Sequence, residues 1–272
     1  MIKEQMIHSN SSAPILPMQC YKQPFVELYN EDCLETLKRI ETKSIDLLCQ
    51  DLPYGTTQNE WDKVPHLATM WAEWERVLKE DGLAVFTAQQ PFTSELVMSR
   101  TGLFKCDWIW MKEKGTGHLN AKSYPLRNHE HILVFGWQMK KYNPQFENGK
   151  PYQRLNGSKN ELNKGNYGAT KESYDTISNG ERYPQTIQFF ASDSQRFGSL
   201  HPTQKPLDLM RYLIRTYSNE NDLVFDGYSG SGTTAAACIK EKRRFIGAEL
   251  SKEYFDLSVR RLEEIVSQPE LF

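Results

Sequence analysis

The sequence predicts an α/β fold with a mostly parallel, doubly wound sheet, and three observations support this. Short apolar runs recur along the 272 residues, each bounded by turn residues. Amphipathic stretches of helical period alternate with them. Three acidic residues, Asp51, Asp226 and Glu249, each stand just after one of these runs. Strands alternating with helices imply a largely parallel sheet covered on both faces. Ligands in such sheets bind beyond the carboxyl ends of the strands. The three acids can therefore share one edge, although 198 positions separate the first from the last.

Taken in order, residues 1–20 lack periodicity and read as a loose arm, and Phe25–Leu28 reads as a short strand. Asp32–Ile40 reads as a helix with Leu34, Leu37 and Ile40 on one face. Ile45–Cys49 reads as a strand buried on both faces. His66–Lys79 is a helix carrying Met70, Trp71, Trp74 and Leu78, broken by Asp81-Gly82. Leu83–Thr87 is the next strand, and Pro91 opens a helix at its first turn. Cys106–Met111 and Ile132–Phe135 are strands. Periodicity then stops from Gln138 to about Ser199, in a stretch rich in Asn, Gly, Lys and Tyr. A loop this long inside a compact domain is uncommon unless it is functional. Regular alternation resumes with helix Pro206–Tyr217, strand Leu223–Phe225, helix Gly232–Lys240, strand Phe245–Ala248 and helix Lys252–Val266.

Composition narrows the class. A hydrophobic content of 39% and a mean hydropathy of −0.64 fit a globular protein with an ordinary core. The apolar runs fall far short of the roughly 18 residues a membrane span needs. The N-terminus shows no basic-then-apolar leader, so a cytoplasmic location and no membrane partner are expected. Cys20, Cys33, Cys49, Cys106 and Cys238 are scattered without metal spacing, as are the six histidines. Reduced thiols and no metal are expected. The net charge of −2 is unevenly placed, with 17 Lys/Arg against 10 Asp/Glu between Phe104 and Arg215. A basic middle on an acidic frame fits a phosphate-facing region or an ordinary solvated surface.

Two motifs carry the chemistry. Asp51-Leu52-Pro53-Tyr54 follows the Ile45–Cys49 run. Asp226-Gly227-Tyr228-Ser229-Gly230-Ser231-Gly232-Thr233-Thr234 follows the Leu223–Phe225 run. Each alone also fits a plain strand-end turn. In this order, and in these strand contexts, they resemble the target-base tetrapeptide and the cofactor glycine loop of beta-group amino DNA methyltransferases. His201-Pro202-Thr203-Gln204-Lys205-Pro206 is similar to a further element of that family. The likeness spans residues 25–136 and 200–266. Here Leu52 stands where the family has proline, Gly227 where it has proline, and Tyr228 where it has phenylalanine.

The resemblance implies a Rossmann-like methyltransferase sheet with circularly permuted motif order and an inserted target-recognition region. It divides the chain into an arm (1–24), a catalytic half (25–137), a recognition insertion (138–199), a cofactor half (200–266) and a tail (267–272). It implies S-adenosyl-L-methionine as cofactor, held by Asp32, Lys205, Asp226, Gly227, Gly230, Gly232, Thr233 and Glu249. Lys205 would meet the methionine carboxylate, and Glu249 would suit a ribose diol because a carboxylate accepts both hydroxyl protons. The target is an exocyclic amine whose lone pair is delocalised into the base. The Asp51 carboxylate and the Leu52 carbonyl are the two acceptors that would localise it, with Pro53 keeping Leu52 out of helical angles. Tyr54 offers a ring for the displaced base. A leading Asp mostly accompanies adenine N6 in this family, whereas a leading Ser is more common for cytosine N4. An N4-cytosine enzyme, an RNA adenine target and a non-catalytic DNA-binding subunit remain alternatives.

The insertion occupies the family's recognition segment. Arg154, Arg182 and Arg196 are expected to meet phosphates of double-stranded DNA, and its Asn, Gln and Tyr residues to reach bases; the alternative is a variable, partly disordered surface insertion. A homodimer is a further expected partner state. The chain ends Gln268-Pro269-Glu270-Leu271-Phe272, which resembles a peptide that docks bacterial replication proteins on the sliding clamp. Gln268, Leu271 and Phe272 would either do this or pack on the enzyme's own surface.

Overall fold

The structure, a computed structural model, describes residues 19–56, 62–154, 164–165, 168–169, 176–191 and 204–267. The elements run β1 (Cys20–Gln23), β2 (Val26–Tyr29), α1 (Cys33–Arg39), β3 (Ile45–Asp51), α2 (Leu67–Val77), β4 (Leu78–Ala88) and α3 (Phe92–Ser99). β5 (Phe104–Thr116) and β6 (Arg127–Gly136) follow. Next come β7 (Glu147–Asn148), β8 (Tyr152–Arg154), β9 (Lys164–Gly165), β10 (Gly168–Ala169), β11 (Thr176–Ser178), β12 (Glu181–Arg182) and β13 (Ile187–Phe189). The chain closes with α4 (Leu207–Tyr217), β14 (Leu223–Asp226), α5 (Thr233–Lys240), β15 (Arg244–Ala248) and α6 (Lys252–Ser267).

Nine strands form one sheet in the order β1-β2-β15-β14-β3-β4-β6-β5-β13. β2, β15, β14, β3 and β4 are mutually parallel. β6 runs antiparallel to both β4 and β5, and β13 pairs parallel with β5. The parallel centre follows from its residues. Leu47, Leu48 and Cys49 of β3 are all buried, as a strand covered on both faces requires. Leu47, Cys49, Leu83 and Val85 face a core with Leu213, Ile214, Ala236 and Leu262 from α4, α5 and α6. Leu48, Ala84 and Phe86 face the other core, with Leu37, Trp71, Trp74 and Phe92 from α1, α2 and α3. Alternation along each strand thus splits the apolar residues between two layers of helices.

Three differences from the sequence reading matter. The last part of the expected arm is a strand: Cys20–Gln23 pairs antiparallel with Val26–Tyr29 at the sheet edge. The insertion carries local order that its composition hides. β7 pairs with β12, β8 with β11 and β9 with β10, while β13 joins the main sheet beside β5. Strands of two or three residues are too short to register as a period of two. β4 and β5 also exceed their apolar runs, at 11 and 13 residues: α2 ends at Val77, so Leu78, Lys79 and Asp81-Gly82 belong to β4, and the added ends of both strands carry charged residues.

The tail residues Gln268, Leu271 and Phe272 and the insertion residue Arg196 lie outside the described residues, as do His201, Pro202 and Thr203. All five cysteines are free thiols. Among the described residues no helix is long and apolar enough to cross a membrane.

Candidate active site

The carboxyl ends of β3 and β14 and the residue after β15 bring Asp51, Asp226 and Glu249 to one cavity of about 1130 Å³. Parallel pairing sets this directly, since Asp226 is opposite Gly247 and Phe225 opposite Leu48. The cavity has a glycine-loop end and a tetrapeptide end.

At the glycine-loop end, Gly230 and Gly232 have φ of 51° and 74°, in the left-handed region. Gly232 is additionally confined, because a Cβ there would lie 3.1 Å from Ser258. Gly227 meets another limit: a Cβ would lie 2.8 Å from Cβ of Cys33. Glu249 accepts from the Gly230 N–H on Oε2 (2.8 Å) and from the Ser251 N–H on Oε1 (2.7 Å). These bonds fix its carboxylate at the cavity wall, while burial pushes its pKa up. Asp226 accepts from the Tyr228 N–H (2.9 Å) and the Thr234 hydroxyl (2.6 Å). Burial nevertheless lifts Asp226 to about 7, with Asp51 and Glu249 adding repulsion. Thr233 lines the cavity and accepts from Arg261 (2.9 Å). Asp32 also lines the cavity, but one of its oxygens caps α1 by accepting from the Leu34 N–H (2.8 Å).

At the tetrapeptide end, Asp51 is one member of a network. Its Oδ1 accepts from the Thr87 hydroxyl (2.5 Å) and lies 2.7 Å from the Tyr54 oxygen. Its Oδ2 accepts from Lys205 Nζ (2.6 Å). Lys205 also lies 3.5 Å from Glu130 Oε2, and the Tyr54 oxygen lies 3.2 Å from the same atom. Glu130 in turn pairs with Lys112 and accepts from Gln89 (3.1 Å). Burial would raise the Glu130 pKa, but Lys205 and then Lys112 outweigh it and hold the carboxyl below its usual range. Burial would lower Lys205, but Asp51 and then Glu130 keep it raised and charged. Burial, then Asp51 and Glu130, raise the Tyr54 hydroxyl far above its ordinary value, so it stays a donor. The Tyr54 ring stacks on Phe92, with centroids 5.9 Å apart and planes at 25°. Lys205 Nζ lies 5.5 Å from the Tyr54 centroid.

The structure thus brings together Asp51, Leu52, Pro53, Tyr54, Asp32, Lys205, Asp226, Gly227, Gly230, Thr233 and Glu249 around one cavity. Gly232 sits just behind it as the N-cap of α5. Arg182 is elsewhere and already engaged. It donates to Ser178 Oγ and to the carbonyls of Glu181 and Lys150, and it stacks over Tyr152, so it ties ribbons of the insertion together. Its phosphate role would require those bonds to exchange. For Arg154 only the backbone is described.

Sequence reasoning missed Thr87, Gln89, Lys112 and Glu130. Thr87 is the register partner of Asp51 in the next strand. Glu130 reaches this edge because β6 is antiparallel, so that its start lies beside the ends of β3 and β4. The available signal was a carboxylate two residues before the Ile132–Phe135 run, where a buried strand has no place for an unpaired charge.

A doubly wound sheet with two motif-bearing strand ends facing one cavity defines the class, and comparison with known proteins gives the family. The profile of the N6/N4 DNA methylase family matches residues 45–260, and the chain belongs to that family of S-adenosylmethionine-dependent enzymes. It is 28% identical over 255 residues to Type II methyltransferase M1.MboII of Moraxella bovis, covering 84% of this chain and 93% of that one. It is 28% identical over 251 residues to DNA adenine methyltransferase YhdJ of Escherichia coli K12, covering 85% and 81%. Among solved structures, the M1.HpyAVI–SAM complex aligns with a TM-score of 0.58 at 24% identity, over 87% of this chain and 99% of that one. The cytosine-N4-specific PvuII DNA methyltransferase aligns with a TM-score of 0.63 at 16% identity, over 93% and 89%.

The residues present fit the cofactor. Glu249 is buried, held by two backbone N–H groups and still on the cavity wall, so lone pairs remain for a diol. Asp226 is a buried carboxylate beside the glycine loop, suited to a cationic ligand.

Proposed function

We propose that this chain is a site-specific DNA methyltransferase acting on the N6 amine of adenine. The observation that carries the reading is Asp51. Its carboxylate faces the same cavity as Glu249 and the glycine loop, and it is held by three donors. Support for adenine is the leading Asp of the tetrapeptide and the likeness to an enzyme named for adenine. The N4-cytosine enzyme shares the fold alone.

S-adenosylmethionine, when bound, supplies an electrophilic methyl group on its sulfonium. Everything else is positioning and electrostatics by the chain. Glu249 would hold the cofactor's ribose hydroxyls. Lys205 donates to Asp51 and lies 3.5 Å from Glu130; of its three N–H donors one would remain for the methionine carboxylate, so that one ammonium would link both ends of the cavity. Asp51 accepts from the target amine, and the Leu52 carbonyl is the second acceptor. On taking the methyl group the target amine would become cationic and would release a proton to solvent at the open side of the cavity. Asp51 faces that charge as it develops. Phe92 occupies one face of Tyr54, so a displaced base stacks on the other. Flipping the base from a duplex costs a few kcal/mol, and stacking returns about 1 to 3 kcal/mol of it. Lysine and arginine residues of the insertion, with Arg154, Arg182 and Arg196 among them, contribute phosphate contacts. The C-terminal Gln268, Leu271 and Phe272 support docking on a sliding clamp by their pattern alone.

Incubating the protein with DNA and methyl-labelled cofactor, then separating the nucleosides, tests the reading. Label in N6-methyladenine is the expected result. Label in N4-methylcytosine would replace the base, and none in any nucleoside would overturn the function.

A further inference from the structure

The hairpin joining β5 and β6 stands clear of the elements around it. β4 ends at Ala88, opposite His131 of β6, and β13 ends at Phe189, opposite Met111 of β5. Beyond the Met111–His129 pair β5 and β6 continue alone and, after an irregular stretch, pair Thr116 with Arg127. At about 3.3 Å per residue the pair rises on the order of 10 Å past the sheet. It rises at the edge that holds Asp51, and Trp110, Lys112, Glu113, Lys114 and Thr116 along β5 line the same cavity.

The tip has defined local structure. Gly117 takes φ of 90°, the Asn120 N–H donates to the Gly117 carbonyl (3.0 Å), and the Tyr124 N–H donates to the Asn120 carbonyl (3.0 Å). Gly115 lets the strands close, since a Cβ there would lie 2.8 Å from Cβ of Leu126. This ordered tip presents apolar side chains to solvent. Leu119 is 101% exposed, Tyr124 70% and Leu126 40%. One exposed leucine is ordinary. Three apolar side chains on a projecting finger, flanked by Lys114, Lys122 and Arg127, are a different pattern. Between Lys112 and Arg127 the sole carboxylate is Glu113. Cations suit phosphates, and apolar side chains suit insertion between base steps.

We propose that this hairpin is a wedge that enters DNA at the target base pair, with Leu119 and Tyr124 filling the space the extruded base leaves. The proposal rests on the reading of duplex DNA as substrate. Position favours it, because the finger rises beside the cavity that must receive the base. It also gives the base-flipping step an agent that the cavity itself does not supply.

The test uses the whole protein carrying Leu119→Ala together with Tyr124→Ala. The recognition sequence is first read from methylated DNA at nucleotide resolution. Synthetic duplexes are then made with the target base either paired or opposite an abasic site, where extrusion costs less. The expected result is a single-turnover rate at least tenfold below wild type on the paired duplex. Opposite the abasic site the rate should return to within threefold, with unchanged cofactor affinity. A wild-type rate on the paired duplex would overturn the wedge. So would an equal loss on both duplexes, which marks a general binding or folding defect. Both leave the substrate reading standing. A wild-type protein inactive on every duplex but able to bind cofactor would remove that reading and the wedge with it.

Discussion

Strand β3 carries two carboxylates paired with lysine, one near each end, and they do different work. Asp46 is 2% exposed in its side chain and fully engaged. Its Oδ1 accepts from Lys79 (2.8 Å) and Lys141 (2.5 Å), and its Oδ2 from the Leu223 N–H (2.9 Å). Asp51 accepts as many bonds, yet its side chain is 26% exposed and lines the cavity. Asp46 thus joins β3 to the start of β14 and to the segment after β6. Asp51 has the same kind of partners on one side and open volume on the other. Ion pairing by itself therefore does not mark function here. What separates the two is the end of the strand and the space beyond it.

The sharpest way to break this comparison is to remove each carboxylate. Asp51→Ala should lower the methyl-transfer rate at least about 10³-fold, roughly 4 kcal/mol, the scale of losing a main electrostatic contact in a transition state. Cofactor affinity, read by calorimetry, should stay within a few-fold. Substantial turnover would move the amine acceptor elsewhere.

Asp46→Ala should do the reverse. It takes from Lys141, which is 11% exposed, one of its two close carboxylates, leaving Asp222 at 3.1 Å, and it leaves the Leu223 N–H without its acceptor. Loss of folding stability of about 2 to 4 kcal/mol is expected, discounted because Lys79 is 38% exposed. The rate per folded molecule at low temperature should be unchanged. Urea titration and active-site counting check both parts, and a stable but inactive variant would collapse the distinction.

Glu130→Gln sharpens the catalytic side. The amide keeps the shape but removes the charge that Lys205 and Lys112 share. With one carboxylate left, Lys205 should hold Asp51 more tightly and release it less readily to the target amine. A fall in kcat of about tenfold, ~1.4 kcal/mol, is expected, with KM for DNA little changed. A KM effect alone would make Glu130 a substrate contact rather than a positioning residue.

These cases also explain what the sequence disclosed. Asp51, Tyr54 and the glycine loop were legible because each motif is contiguous and follows an apolar run. The two-layer sheet was legible because its central strands are apolar on both faces. Asp46 was read through as part of the Ile45–Cys49 run, because its lysines come 33 and 95 positions later. Thr87 was invisible for the same reason, and Glu130 could be flagged only as a charge beside a buried run: strand register, not sequence spacing, places both beside Asp51. The ribbons of the insertion were missed because pairs of two or three residues leave no periodic trace.

An effect no larger than that of Glu130→Gln concerns pH and separates Asp226 from both β3 carboxylates. Its folded-state pKa is about 7, raised above the ordinary carboxylate value chiefly by burial. The sign follows from linkage. An acid whose folded pKa is raised favours the folded state while protonated, so its contribution is complete below about pH 4 and is lost as pH rises through 7. Asp46, which the Leu223 N–H and two lysines hold low against its burial, works oppositely and loses its contribution as pH falls. A cationic ligand beside Asp226 prefers the carboxylate and must displace the proton below pH 7. Cofactor affinity should therefore rise about tenfold between pH 6 and 8 and level off above, with about one proton released near pH 6. Calorimetry in buffers of different ionisation enthalpy reads that proton directly. Asp226→Asn should abolish the pH dependence and bind weakly at every pH. A flat profile in the unsubstituted protein would place Asp226 behind the cofactor site as a structural acid, alongside Asp46.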